Sequence, residues 1–239
     1  MNSADIRNES RDPALERLLA RGDIWQGRGQ HGDGEPTGFA ALDQHLAAGG
    51  WPRGALTELL PERAGIGELR LLMPVLARLS QGPRWAAWID PPYIPHAAGL
   101  YASGVDLAHT LVVHPREGAE RADERLWALE QALSSGTCSV VLAWPGTLTP
   151  KAMRRLQLAA ERGGTLGFLF RGTREAGSQG GVTNAALRLA LAPSRGGLCI
   201  DALRQRGGRP EEGIHLSAAE LFHPGTERNP DPALPLGTG

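Results

Sequence analysis

The chain has 239 residues, 41% of them hydrophobic and 21% charged, with Gly and Pro together about a fifth; this excludes a disordered chain and allows one domain of ordinary size with short extensions. Its 25 basic and 26 acidic residues give a formal net charge of -1, which excludes a global basic field that would gather nucleic acid. No run approaches the roughly 20 apolar residues of a membrane span, and residues 1–7 lack the apolar stretch of a secretory signal, so a cytoplasmic protein with no membrane partner is expected.

Asp12 and Pro13 open a short amphipathic helix, with Ala14, Leu15, Leu18 and Leu19 on one face and Gly22 at its end. The glycine-rich, polar stretch 27–34 reads as a linker, so residues 1–35 form an N-terminal helix and tether. From Pro36 onward short apolar strands alternate with helical periodicity. A helix carrying Leu42 and Leu46, then a turn at Gly49-Gly50, lead into a strand over 55–60. Leu69, Leu72, Met73 and Leu76 follow helical spacing, which Pro74 interrupts. Further strands are expected at 85–90, 111–114, 138–144 and 165–170, with helices at 96–102, 118–133 and 150–162. Such an alternation predicts an α/β fold, a mostly parallel sheet with helices on both faces. Strands at 187–192 and 198–203, separated by Pro193-Ser194-Arg195-Gly196-Gly197, read as an antiparallel hairpin at the C-terminal end of the sheet. The main domain is therefore placed at 36–220, and residues 221–239, rich in Pro, Gly and polar types, read as a disordered tail.

Cys138 and Cys199 each lie in an apolar strand with no CxxC, and the seven His do not cluster, so no metal is expected. Asp90, a lone carboxylate at a strand end, reads as a capping or pairing residue. The basic residues are grouped instead. Over 188–210, Arg188, Arg195, Arg204, Arg206 and Arg209 face Asp201 alone, a local charge of +4. Lys151, Arg154 and Arg155 follow the strand at 138–144, and Arg171 and Arg174 follow the strand at 165–170. Arginines in glycine-rich surroundings suit phosphate contacts with single-stranded DNA, and equally an acidic protein surface or a solvated edge. Trp25, an aromatic on a tethered segment, either anchors a partner or folds back on its own core.

Thr37-Gly38-Phe39-Ala40-Ala41-Leu42-Asp43, Gly49-Gly50-Trp51-Pro52-Arg53-Gly54 and Ala55-Leu56-Thr57-Glu58-Leu59 resemble the entry to the RecA recombinase core. Further matches fall in order at Trp88-Ile89-Asp90, Leu148-Thr149-Pro150-Lys151 and Ala186-Leu187-Arg188-Leu189. Gly54-Ala55-Leu56-Thr57-Glu58-Leu59-Leu60, Leu71-Leu72-Met73-Pro74-Val75-Leu76 and Gly136-Thr137-Cys138-Ser139-Val140-Val141-Leu142-Ala143-Trp144 are similar both to SulA and to ImuA, the RecA/SulA-like family associated with bacterial translesion DNA synthesis. Asp23-Ile24-Trp25 and the hairpin ending Arg204-Gln205-Arg206-Gly207-Gly208 resemble ImuA, because SulA is shorter at both ends.

A RecA-like core implies a phosphate-binding loop, which needs backbone amides around the phosphates, a Lys for the β/γ oxygens and a Ser/Thr for magnesium. Stretch 61–68 takes that place as a degenerate P-loop at Pro61, Gly65, Ile66 and Gly67. Ile66 stands where the Lys belongs and Gly67 where the hydroxyl belongs. Ala143 aligns with the Walker B carboxylate, Pro92 with the Glu that activates water, and Arg171 with the Gln that senses the γ-phosphate. Glu62 and Glu68 beside the phosphates would repel them. The resemblance thus implies a non-catalytic RecA-like accessory of SOS-induced mutagenic translesion synthesis, without cofactor, that binds an ImuB-like Y-family homologue, RecA and an error-prone polymerase III α-type subunit. Two alternatives stay open: a SulA-like division inhibitor that binds FtsZ, and a DNA-stimulated ATPase with an atypical P-loop.

Overall fold

A computed structural model describes residues 34–116, 118, 120–172 and 183–224; the helix expected after Asp12, Trp25, Arg174 and nearly all of the expected tail lie outside them. The described residues hold eight strands: β1 (Leu56–Pro61), β2 (Trp85–Ile89), β3 (Thr110–Val113), β4 (Cys138–Ala143), β5 (Leu166–Phe170), β6 (Leu187–Ser194), β7 (Gly197–Gln205) and β8 (Glu211–Ser217). They form one sheet in the order β3-β2-β4-β5-β1-β6-β7-β8. Every pair from β3 across to β6 is parallel, and only β6 with β7 and β7 with β8 are antiparallel. The architecture is the expected α/β one, a mostly parallel sheet with antiparallel strands at its C-terminal end, although the expected hairpin gains β8 as a third strand.

Among the described residues six α-helices accompany the strands: α1 (Ala40–Asp43), α2 (Met73–Ser80), α3 (Ala97–Ala102), α4 (Arg121–Ser134), α5 (Pro150–Gly163) and α6 (Ala218–Phe222). Pro74 is harmless at the start of α2, where its missing N–H has no helical partner anyway; a single 3-10 turn over Arg70–Leu72 carries the spacing that reads in sequence as one longer helix. In α5 the Thr149 hydroxyl accepts from Ala152 N–H, Pro150 opens the first turn, and Gly164 closes the helix in the left-handed region at φ 58. That cap contributes about 1 kcal/mol. Burying Met153 and Leu156 contributes about 1.5–3 kcal/mol each, so the buried face decides where α5 lies.

Side chains alternate across the sheet because the strand period is two. Val141 and Ala143 of β4 pack with Leu129 and Leu133 of α4 and with Met153, Leu156, Ala159 and Ala160 of α5. Val140 and Leu142 point the other way, into a layer with Leu42 of α1, Val75 and Leu76 of α2, Trp51, Trp88 and Phe168. Trp51 is fully buried with its ring edge-on to Phe168 at 5.0 Å. No described helix is long and apolar enough to cross a membrane.

Both ends of the main domain depart from the expected boundaries. Gly34 N–H donates to Ala48 O, and Glu35 exchanges backbone hydrogen bonds with Trp51, so the folded body begins inside the expected linker. At the other end α6 buries Leu221 and runs to Phe222 under a Ser217–Glu220 capping box, past the position at which the tail was expected to start.

Candidate functional site

In parallel sheets ligand clefts form beyond the carboxyl ends of the strands. Here the ends of β1, β2, β4 and β5 open onto a cleft of about 730 Å³. One wall is the loop after β1, the stretch whose resemblance implies a degenerate P-loop, with Pro61, Glu62, Arg63, Gly65 and Glu68 on the cleft surface. Gly65 and Gly67 take φ of 83 and 107, a conformation that turns their N–H groups toward a common anion. The anion is Glu68. Its Oε1 accepts from Gly65 N–H at 2.8 Å and its Oε2 from Gly67 N–H at 3.1 Å. Glu68 thus folds back on its own loop and occupies both of these N–H donors with its carboxylate. Ile66 packs against the core.

The opposite wall is set by Asp90, just past β2. It is the one described non-glycine residue at positive φ, 53, and its N–H donates to Val113 O. Its carboxylate is 6% exposed and accepts from Arg121 Nη2 at 2.6 Å and Arg125 Nη1 at 3.0 Å, residues one turn apart on α4. Burial raises the pKa of Asp90, but hydrogen bonds and charge from both arginines outweigh it and hold the carboxyl below its ordinary value. The pairing role expected for Asp90 is the one seen. The following segment, Pro91-Pro92-Tyr93-Ile94-Pro95, forms a lip on which Tyr93 and Ile94 are 77% and 87% exposed. Aromatic rings make the floor: Trp88 and Trp144 stack at 5.9 Å, and Trp144 and Phe170 at 4.6 Å with their planes 6° apart.

Arg171, expected among surface contacts, is instead interior. It is 5% exposed, pairs through Nη1 with Glu58 Oε1 at 2.5 Å, and donates from Nε to Gly146 O at 3.4 Å. Arg188 is also buried, its Nε 3.2 Å from Glu58 Oε2. Arg204 donates to Thr183 O, so this guanidinium too is engaged with its own chain. The remaining basic residues do not meet. Lys151, Arg154 and Arg155 lie exposed on the first turns of α5, near the cleft end of the sheet, with Arg155 paired to Glu130 of α4. Arg206, paired with Glu161 near the other end of α5, and exposed Arg209 lie at the opposite end, where Arg206 and Arg53 border a separate pocket of about 350 Å³. Among the described residues no group of three or more His, Cys, Asp or Glu is arranged to hold a metal.

The family model described as "Cell division inhibitor SulA" matches residues 54–167. A cell division inhibitor SulA of Edwardsiella piscicida is 36% identical over 126 residues, covering 53% of this chain and 70% of that protein. The chain belongs to the SulA family. The SulA protein of Photorhabdus laumondii is 35% identical over 102 residues, 43% of this chain and 55% of that protein, and that of Serratia proteamaculans is 29% identical over 126 residues, 53% and 73%. The crystal structure of SulA from Pseudomonas aeruginosa is 25% identical, covers 48% of this chain and 97% of that chain, and has a TM-score of 0.40. The SulA match takes in the degenerate loop, Asp90 with both its arginines, and Trp144, whereas Phe170, Arg171 and all of β6 to β8 lie outside it. Sequence reasoning did not single out Glu58, Arg121 or Arg125; only the i, i+4 spacing of the two arginines hinted that they act together.

Proposed function

We propose that this SulA-family chain is a non-catalytic binding protein of the DNA-damage response, an ImuA-like accessory of mutagenic translesion synthesis that joins an ImuB-like Y-family homologue, RecA and an error-prone polymerase III α-type subunit. Glu68 carries the non-catalytic part of this reading. Admitting a nucleotide would require expelling a carboxylate already bound by the loop amides, and Glu62 would still oppose the incoming charge. A retained scaffold without that chemistry acts by stoichiometric binding. The ImuA-like assignment is supported by β6 to β8, which extend the sheet beyond the stretch shared with SulA.

A second reading, division arrest through FtsZ, is favoured by the name that the three relatives above carry, cell division inhibitor SulA. Purified chain presented in parallel to ImuB, RecA and FtsZ, with and without ATP, separates the two. Retention of ImuB or RecA regardless of ATP is the expected result. Capture of FtsZ alone, with filamentation of cells that express the chain by itself, transfers the protein to the division inhibitors, and an ATP requirement or turnover that rises with single-stranded DNA ends the non-catalytic reading.

A further inference from the structure

The cleft does not end at Leu69. A second cavity of about 230 Å³ shares Leu69, Trp88, Pro95 and His96 with it and continues past Met73 and Leu100 to Arg70. Together they make one trough, walled largely by prolines and aromatic rings in the cleft and by aliphatic side chains beyond it. At its outer end the trough meets α6. Arg70 lies over the ring of Phe222, 4.4 Å from its centroid, and a Cβ at Gly67 would come within 3.9 Å of Leu221 Cδ1. The chain therefore leaves the described body, at Pro224, beside the mouth of the trough.

Residues 225–239 follow. Among them Pro230-Asp231-Pro232-Ala233-Leu234-Pro235-Leu236 joins three prolines to three apolar side chains. An apolar trough offers few acceptors, so a backbone N–H that enters it unpaired costs free energy. Proline brings no N–H, and its fixed φ lowers the ordering cost of binding; proline-rich segments dock on aromatic-lined grooves for these reasons. Six residues take the chain from Pro224 to Pro230, about 20 Å when extended. A short tether supplies an effective concentration in the millimolar range, so even a weak contact is populated.

We propose that residues 230–236 dock in this trough of their own chain, with Leu234 and Leu236 against its apolar wall. The tail then covers the cleft, and a partner that uses the cleft must first displace it. The inference stands apart from the choice of partner above.

The test is the full purified chain carrying Leu234→p-benzoylphenylalanine, a photoreactive apolar side chain. Irradiation at low protein concentration should join residue 234 to residues 91–96 or 144–146 of the same chain, read by mass spectrometry of the digest. Leu236→Asp sets a charge against an apolar wall and should cut that product about fivefold or more. Thr238→Asp, past the proline segment, should leave it unchanged. No product, products spread over the rest of the surface, products that join two chains only, or a yield that Leu236→Asp does not lower would each overturn the docking. The partner readings above would survive any of these results, since no arm of the experiment contains a partner.

Discussion

Glu58 and Asp90 are each gripped by two arginines, yet the first is sealed inside the sheet and the second sits on the wall of a cleft. Glu58 is fully buried and its partners come from the end of β5 and from β6, the two neighbours of β1, so this ion cluster ties three adjacent strands together. Asp90 draws both partners from α4, and Arg121 and Arg125 remain 39% and 20% exposed. The same chemistry thus ties strands together in one place and shapes the wall of a cleft in the other. Burial decides which, because a buried charge deprived of its partner is far more costly than a solvated one.

The largest expected effect follows from breaking the buried cluster. Glu58→Ala leaves two buried guanidiniums without their carboxylate and should lower unfolding free energy by about 3–5 kcal/mol, read from urea melts. Replacing Glu58, Arg171 and Arg188 together by Met or Leu should restore most of it, since apolar packing can substitute for a buried ion cluster. A triple variant no better than Glu58→Ala would mean the cluster is more than a scaffold.

Asp90→Asn should cost less, about 1–3 kcal/mol, because Asn tolerates the left-handed backbone and its arginines reach solvent. With its pKa held below the unfolded value, Asp90 contributes stability that is present above about pH 4 and is lost as pH falls through the folded pKa. The stability gap between wild type and Asp90→Asn should close over that acid range; a gap unchanged by pH would assign the cost to something other than ionisation. Smaller again is Glu68→Ala, expected within about 1 kcal/mol because the loop amides it leaves can turn to water, and measurable in the same melts. Last, burial pushes the Cys138 thiol up, so it should resist a disulfide reagent that labels half-buried Cys199; a Cys138 that labels in Glu58→Ala but not in wild type would show the sheet itself loosening.

The core strands were legible in the sequence because β1, β2, β4 and β5 are buried on both faces and read as near-continuous apolar runs. β8 was not. Glu211-Glu212-Gly213-Ile214-His215-Leu216-Ser217 buries only Ile214 and Leu216 and looks like a polar connector until β7 is there to pair with it. The cleft was half legible: the degenerate loop could be placed, and Asp90 was recognisable as a pairing residue. Its partners were not, and Glu58 with Arg171 was invisible, because 113 positions separate them and only the β5-β1 neighbourhood brings them together. Exposure misled in the same way. Arg171 and Arg188 count as surface charge in any tally of composition, and strand order alone turns them inward.

The stack of Trp88, Trp144 and Phe170 also gives the cleft an optical identity. Two indoles 5.9 Å apart and nearly parallel couple their excited states, and of the pair only Trp144 is partly open to the cleft. Near-ultraviolet circular dichroism should therefore carry a tryptophan signature that belongs to this one wall, and occupancy can be followed on the unlabelled protein through a change in that signal.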